Sequence, residues 1–209
     1  MEDKKITPQE SMAIITKMIE DSKQRLATPD TRVSVMWATL SIVTAVLVWI
    51  LCSVTNDSRY NFIWFSIPVI GLPLSFLMGR KSAKKRVRTY VEYVTDGIWR
   101  IVGYISIALI AICLIYDLLD YSNIWLAMFY FAFIVVGFAA AATGVVLKEK
   151  SYLFGGIFST VAGLIISVSS LCGIPLLMSW VIPLYIFCFF VMFIVPAFII
   201  RHKLKKTAE

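Results

Sequence analysis

Long apolar runs alternate along this chain with short polar breaks. Six runs are each about as long as a bilayer is thick: 33–55, 60–79, 98–119, 124–147, 152–174 and 176–200. A spanning helix needs about 20 mostly apolar residues, because ~1.5 Å of rise per residue must cover ~30 Å of hydrocarbon. The runs are continuously apolar and do not alternate residue by residue, so a β-barrel is excluded. Helices satisfy their own backbone groups and are viable in lipid. The pattern predicts an all-α polytopic membrane protein, with six transmembrane helices over residues 33–200 arranged as three antiparallel hairpins. A cytoplasmic arm (1–32) precedes them and a basic tail (201–209) follows.

The charges orient this frame. With both termini in the cytoplasm, 19 of the 20 Lys and Arg residues fall on the cytoplasmic side, and only Arg59 lies outside. Short loops obey the positive-inside rule, so the asymmetry predicts N-in, C-in topology. The net charge of +7 then reads as a topology signal and not as a nucleic-acid footprint. Composition agrees: 59% of residues are hydrophobic and 16% charged, against about 45–50% and about 25% in soluble domains. Trp37 and Trp99 fall near inner helix ends and Trp49, Trp64, Trp125 and Trp180 near outer ends, where interfacial belts form. The first thirty residues are too polar for a signal-peptide core, so the first span is expected to act as the targeting signal.

Two segments stand out on the cytoplasmic side. Thr7-Pro8-Gln9-Glu10 carries a capping-box pattern and predicts a helix from Pro8 to about Ala27. Met12, Ile15, Ile19 and Leu26 share one face of it, opposite Lys17, Glu20, Lys23 and Gln24, which makes it an amphipathic helix. That face is a candidate docking surface, for a partner or for the apolar stripe Val87–Val94. The loop after the second span holds Arg80, Lys81, Lys84, Lys85, Arg86 and Arg88, candidate ligands for anionic lipid. From about Lys84 onward, apolar residues at three- and four-residue spacing predict that the third spanning helix projects several turns into the cytoplasm.

Within the spans the notable features are small residues and prolines. Gly137, Ala141 and Gly144 share a face of the fourth span, and Gly155, Ser159, Gly163 and Ser167 form an every-fourth stripe on the fifth. Such stripes let helix backbones approach closely, so the two spans are expected to pack as a tight hairpin; a small glycine-lined cavity is the alternative. Ile166 is expected to face lipid. Pro68, Gly71 and Pro73 predict a kink in the second span, and Pro183 and Pro196 in the last. No Asp, Glu, Lys, Asn, Gln or His occupies the middle of a span, which argues against proton coupling and ion relays. Asp57, Asp117 and Asp120 fall at outer helix ends as solvated carboxylates, with Arg59 a ready partner for them.

Enzyme chemistry finds no support. His202 is the single histidine, there is no metal-ligand cluster, no serine has a nearby base, and no glycine loop could cradle a phosphate. No cofactor is expected. Cys52, Cys113, Cys172 and Cys188 all lie in apolar stretches without a C-x-x-C pair. Buried free thiols are the default, with a Cys52–Cys172 disulfide the alternative.

The segments ESMAIITKMI (10–19), NFIWFSIPVIGLPL (61–74), VRTYVEYV (87–94) and IVPAFII (194–200) resemble those of small, uncharacterised six-span inner-membrane proteins of Bacteroides-type bacteria. The resemblance implies a bacterial cytoplasmic membrane and carries no activity. The leading expectation is a non-enzymatic membrane module that binds a partner through its arm and basic loop. The partner would be membrane lipid, anionic lipid included, another copy of the chain, or an unidentified protein. The alternative is a permease for a small neutral or apolar solute.

Overall fold

The protein is known from a computed structural model, which describes residues 10–16, 31–55, 57–83, 90–120, 125–174 and 181–208. Among these every regular element is helical. Six helices are long and apolar enough to cross a membrane, the architecture of a multi-pass membrane protein. In order they are α1 (Arg32–Thr55), a 3-10 turn (Ser58–Phe65) leading into α2 (Ser66–Ala83), α3 (Tyr90–Leu118), α4 (Leu126–Leu147), α5 (Lys150–Leu171), and a last span of three parts. That last span is α6 (Val181–Phe189), a π segment (Phe190–Ile194) and α7 (Val195–Ala208). At 29 residues, α3 is longer than a bilayer crossing requires.

The most extensive contact in the fold joins α4 to α5. A side chain added at Gly144 would strike Leu153, one at Gly156 would strike Ala141 and Gly137, one at Gly137 would strike Thr160, and one at Gly163 would strike Phe133 and Ile134. Partner numbers fall on one helix as they rise on the other, so the two helices run antiparallel in a fixed register. At Gly156 and Gly144 the obstacle is backbone, which cannot swing aside. Lys148 makes the turn between the helices with a left-handed φ of 55°, and its N–H and that of Glu149 cap the carbonyls at the end of α4.

The stripe Gly155, Ser159, Gly163 and Ser167 does not serve one neighbour. Gly163 meets α4, while Gly155 meets the backbone of Val191 and Met192 in the π segment. Ser159 is wholly buried and donates to the Phe133 carbonyl at 3.2 Å. Ser167 bonds back to the Gly163 carbonyl at 2.8 Å. The α4 contact itself falls on Leu153, Gly156, Thr160 and Gly163, a mixed three- and four-residue spacing that lets α5 serve two helices at once. Ile166 corrects an expectation: it is only 5% exposed and belongs to the packed interior. Its neighbours Leu164 and Ile165 carry the outward face, at 49% and 58% exposure.

The prolines fall in different settings, and Pro73 lies within the unbroken α winding of α2. Pro68 falls in the first turn of α2, where a missing N–H costs little. The residues before it are wound as 3-10 helix, and Ser66 N–H reaches the Ile63 carbonyl. Gly71 provides a flat seat for the Trp37 ring, which a side chain there would overlap. Pro183 likewise falls in the first turn of α6, and the π segment directly precedes Pro196.

An interior of aromatic rings completes the packing. Trp64, Tyr185, Phe189, Phe193 and Trp99 form a continuous ladder, with successive ring centroids 5.4, 4.3, 5.8 and 5.7 Å apart. Phe129 and Phe133 of α4 set their rings against Tyr185 at 5.8 and 5.9 Å. Gly156→Ala and Gly163→Leu should therefore each lower the thermal midpoint of the purified protein sharply, with about 1–3 kcal/mol or more of overpacking. Ile165→Leu on the outward face should leave it within a degree or two. Unchanged melting of the Gly156 variant would show that the backbone contact does not form.

Candidate functional site: the basic end and the buried hydroxyl seam

Spanning helices gain nothing from the hydrophobic effect between themselves, so polar side chains act as local fasteners. Small and hydroxyl residues line one face from just before α1 into its middle: Thr31, Ser34, Ala38, Ser41 and Ala45 at alternating steps of three and four, with Thr44 beside them. This face is largely buried. Ser34 lies beside the Tyr152 hydroxyl on α5. Ser41 lies beside the Tyr185 hydroxyl on α6. Thr44 lies 3.3 Å from the Ser66 hydroxyl on α2. Trp37 Nε1 donates to Ser75 Oγ of α2 at 2.8 Å. One helix thus meets three others. The lack of ionisable and amide groups in mid-span does not reveal these hydroxyls. The three-four spacing of small polar residues on the first span was the available signal.

Trp64 is the exception within this seam. Its ring packs edge-to-face against Phe129 and Tyr185, and its buried indole nitrogen has no hydrogen-bond partner among the described residues. The tryptophans do more than mark interfaces. Trp37, Trp64, Trp99 and Trp125 are partly buried against neighbouring elements, while Trp49 remains 43% exposed; Trp180 lies outside the described residues.

The helix-end carboxylates have specific duties. Asp117 accepts the Trp125 indole N–H at 3.0 Å, bridging the ends of α3 and α4. Asp57 caps the 3-10 turn by accepting the backbone N–H of Arg59 at 2.9 Å, so the expected partnership runs through the main chain. Asp120 ends α3 with φ 59°.

At the opposite end of the bundle Lys203 Nζ bonds both carboxylate oxygens of Glu149, at 2.8 and 2.9 Å. This clasp ties α7 to the α4–α5 turn. Lys148, Lys150, Arg32, Arg100, Arg201, His202 and Lys206 are exposed. Of the basic cluster, Arg80 and Lys81 lie in the last part of α2, while Lys84, Lys85, Arg86 and Arg88 fall outside the described residues. On the arm, residues 10–16 are helical, with Met12 69% and Ile15 53% exposed. Ile19 and Leu26 fall outside the described residues, as does the Val87 end of the expected docking stripe. All four cysteines are free; Cys113 and Cys188 are buried, Cys52 is partly so, and Cys172 is exposed and unpaired with Cys52.

Comparison of the chain with family models, with curated proteins and with solved structures finds no match.

The two seam tryptophans should respond differently to truncation. Trp37→Phe removes a donor that satisfies Ser75, whereas Trp64→Phe removes a buried donor that has no acceptor. By thermal unfolding in detergent, Trp37→Phe should cost about 1 kcal/mol more than Trp64→Phe. An equal or reversed cost would mean that the Trp64 N–H has an acceptor.

Proposed function

We propose that the chain is a non-enzymatic module of a bacterial inner membrane, with both termini in the cytoplasm, which binds lipid or a protein partner through its arm and basic loop. The observation that carries this reading is where the unspent chemistry lies. The glycines that could line a small cavity are covered instead: the Trp37 ring lies on Gly71, and the glycines of α4 and α5 meet the backbone of neighbouring helices. The outward-facing apolar residues of the arm, Met12 and Ile15, are by contrast uncovered. A helix of this length is marginal in water by itself and gains from a surface to dock on. Glu10, Glu20 and Asp21 offset Lys17, Lys23 and Arg25 on the arm, so anionic lipid attracts it little. A protein surface, in this chain or in another, suits it better.

The basic loop suits lipid headgroups. Six cations within nine residues beside an inner leaflet each contribute ~1 kcal/mol near an anionic surface, and less at high salt. The Lys203–Glu149 clasp holds the tail beside the α4–α5 turn.

Orientation is tested by labelling. A cysteine at Ser82 should react only with reagents that reach the cytoplasm, and one at Ser58 only from outside. Swapped labelling would overturn the topology and the reading built on it.

Lipid binding is tested by native mass spectrometry of protein released from phosphatidylglycerol-containing membranes. The parent chain should retain phosphatidylglycerol. Replacing Arg80, Lys81, Lys84, Lys85, Arg86 and Arg88 with glutamine should remove most of it. Equal retention would leave those six residues with a topological role alone.

A further inference from the structure

The last span changes winding in mid-membrane, and the reason can be read bond by bond. In α winding, Val195 N–H would reach the Val191 carbonyl, and the Pro196 ring would press on the carbonyl of Met192. In the structure Val195 N–H donates instead to Phe190, one residue further back. With Val195 N–H drawn to Phe190, the Val191 carbonyl loses its α donor, and its π donor would be Pro196, which has no N–H. That oxygen faces Gly155, where an added Cβ would come within 2.8 Å of it. An unpaired carbonyl is costly away from water, and here its neighbours are the Cα hydrogens of a glycine, a weak donor.

Each winding therefore carries one defect. The π form relieves the proline ring and leaves Val191 unpaired. The α form pairs Val191 and restores the clash at Met192. Two arrangements whose faults offset one another in this way are close in free energy, and short π segments frequently accompany functional sites. Exchanging one for the other takes one residue out of the turn and rotates everything beyond it by about 100°. What lies beyond is α7 with Arg201, His202, Lys203 and Lys206 exposed on it. Ala197 and Ile200 turn one face of α7 into the interior, and the Lys203–Glu149 clasp adds a polar tie at its far end.

We propose that residues 190–194 are a two-position joint in the last span, held in its π setting by the Gly155 recess and the Lys203–Glu149 clasp, and that the joint selects which face the basic end of α7 presents. The joint is independent of which lipid or protein meets that end. Pro196 and Gly155 act together: one makes the π turn favourable, and the other makes room for the carbonyl that the turn displaces.

The test uses the full chain in lipid nanodiscs, with spin labels at Lys150→Cys and Lys206→Cys and the exposed Cys172 replaced by alanine. Pulsed electron resonance should show two distance populations. Glu149→Gln, a surface change that leaves the packing alone, should raise the minor population by about threefold, in line with the modest strength of an exposed ion pair. Pro196→Ala should make that same population dominant, and Gly155→Ala should move weight in the same direction. A single distance population in the parent, unmoved by Glu149→Gln, overturns the proposal whatever the proline and glycine variants do.

Discussion

Helices in a bilayer have no hydrophobic reason to touch, so this fold depends on how closely two backbones can approach. The pairing of α4 with α5 answers that constraint. Gly137, Gly144, Gly156 and Gly163 each stand where a larger side chain would collide with the opposite helix. Dispersion between two backbones at that range supplies the attraction that burial supplies in water. The pair then acts as a platform. Its α4 side offers Phe129 and Phe133 to the aromatic interior, and its α5 side offers Gly155 to the last span.

Around that platform the remaining helices are held by fewer and more local devices. The buried face of α1 is fastened to α2 by Thr44–Ser66 and Trp37–Ser75, and its Ser34 and Ser41 lie beside Tyr152 of α5 and Tyr185 of α6. Single interhelical hydrogen bonds in membranes average only about 0.6 kcal/mol, so their role is to set register while ring and backbone packing supply most of the attraction. Helix α3 has little of either. Cys113 is the only buried residue recorded along it, and its ties are to α4, through Asp117 and Trp125 at one end, and to Phe193 through Trp99 near the other. Together with the second span it is among the least buried helices of the bundle.

The prolines are accommodated in different ways. At Pro68 the residues before α2 are wound as 3-10 helix, while Pro73 sits inside the α winding of α2. Pro196, in the last span, comes with a π segment and a glycine on the facing helix. Proline and glycine are far apart in sequence at Pro196 and Gly155, and only the fold shows that they answer each other.

Hydropathy fixed much of this protein without help. Membrane solvent admits few solutions, so six apolar runs of bilayer length could only become six helices. The glycines of α4 and α5 were legible as close-packing residues because so few other reasons place glycine inside a spanning helix. Their assignment to neighbours was not. An every-fourth stripe on α5 reads as one contact, yet it divides between α4 and the π segment, and Ile166 turns inward where periodicity alone placed it in lipid. In lipid, inward and outward apolar residues are chemically alike, so amphipathicity, the signal that orients a soluble helix, is absent here. Which side of a span is buried, which hydroxyl meets which tyrosine, and that Lys203 closes on Glu149 were therefore decided only by the tertiary packing.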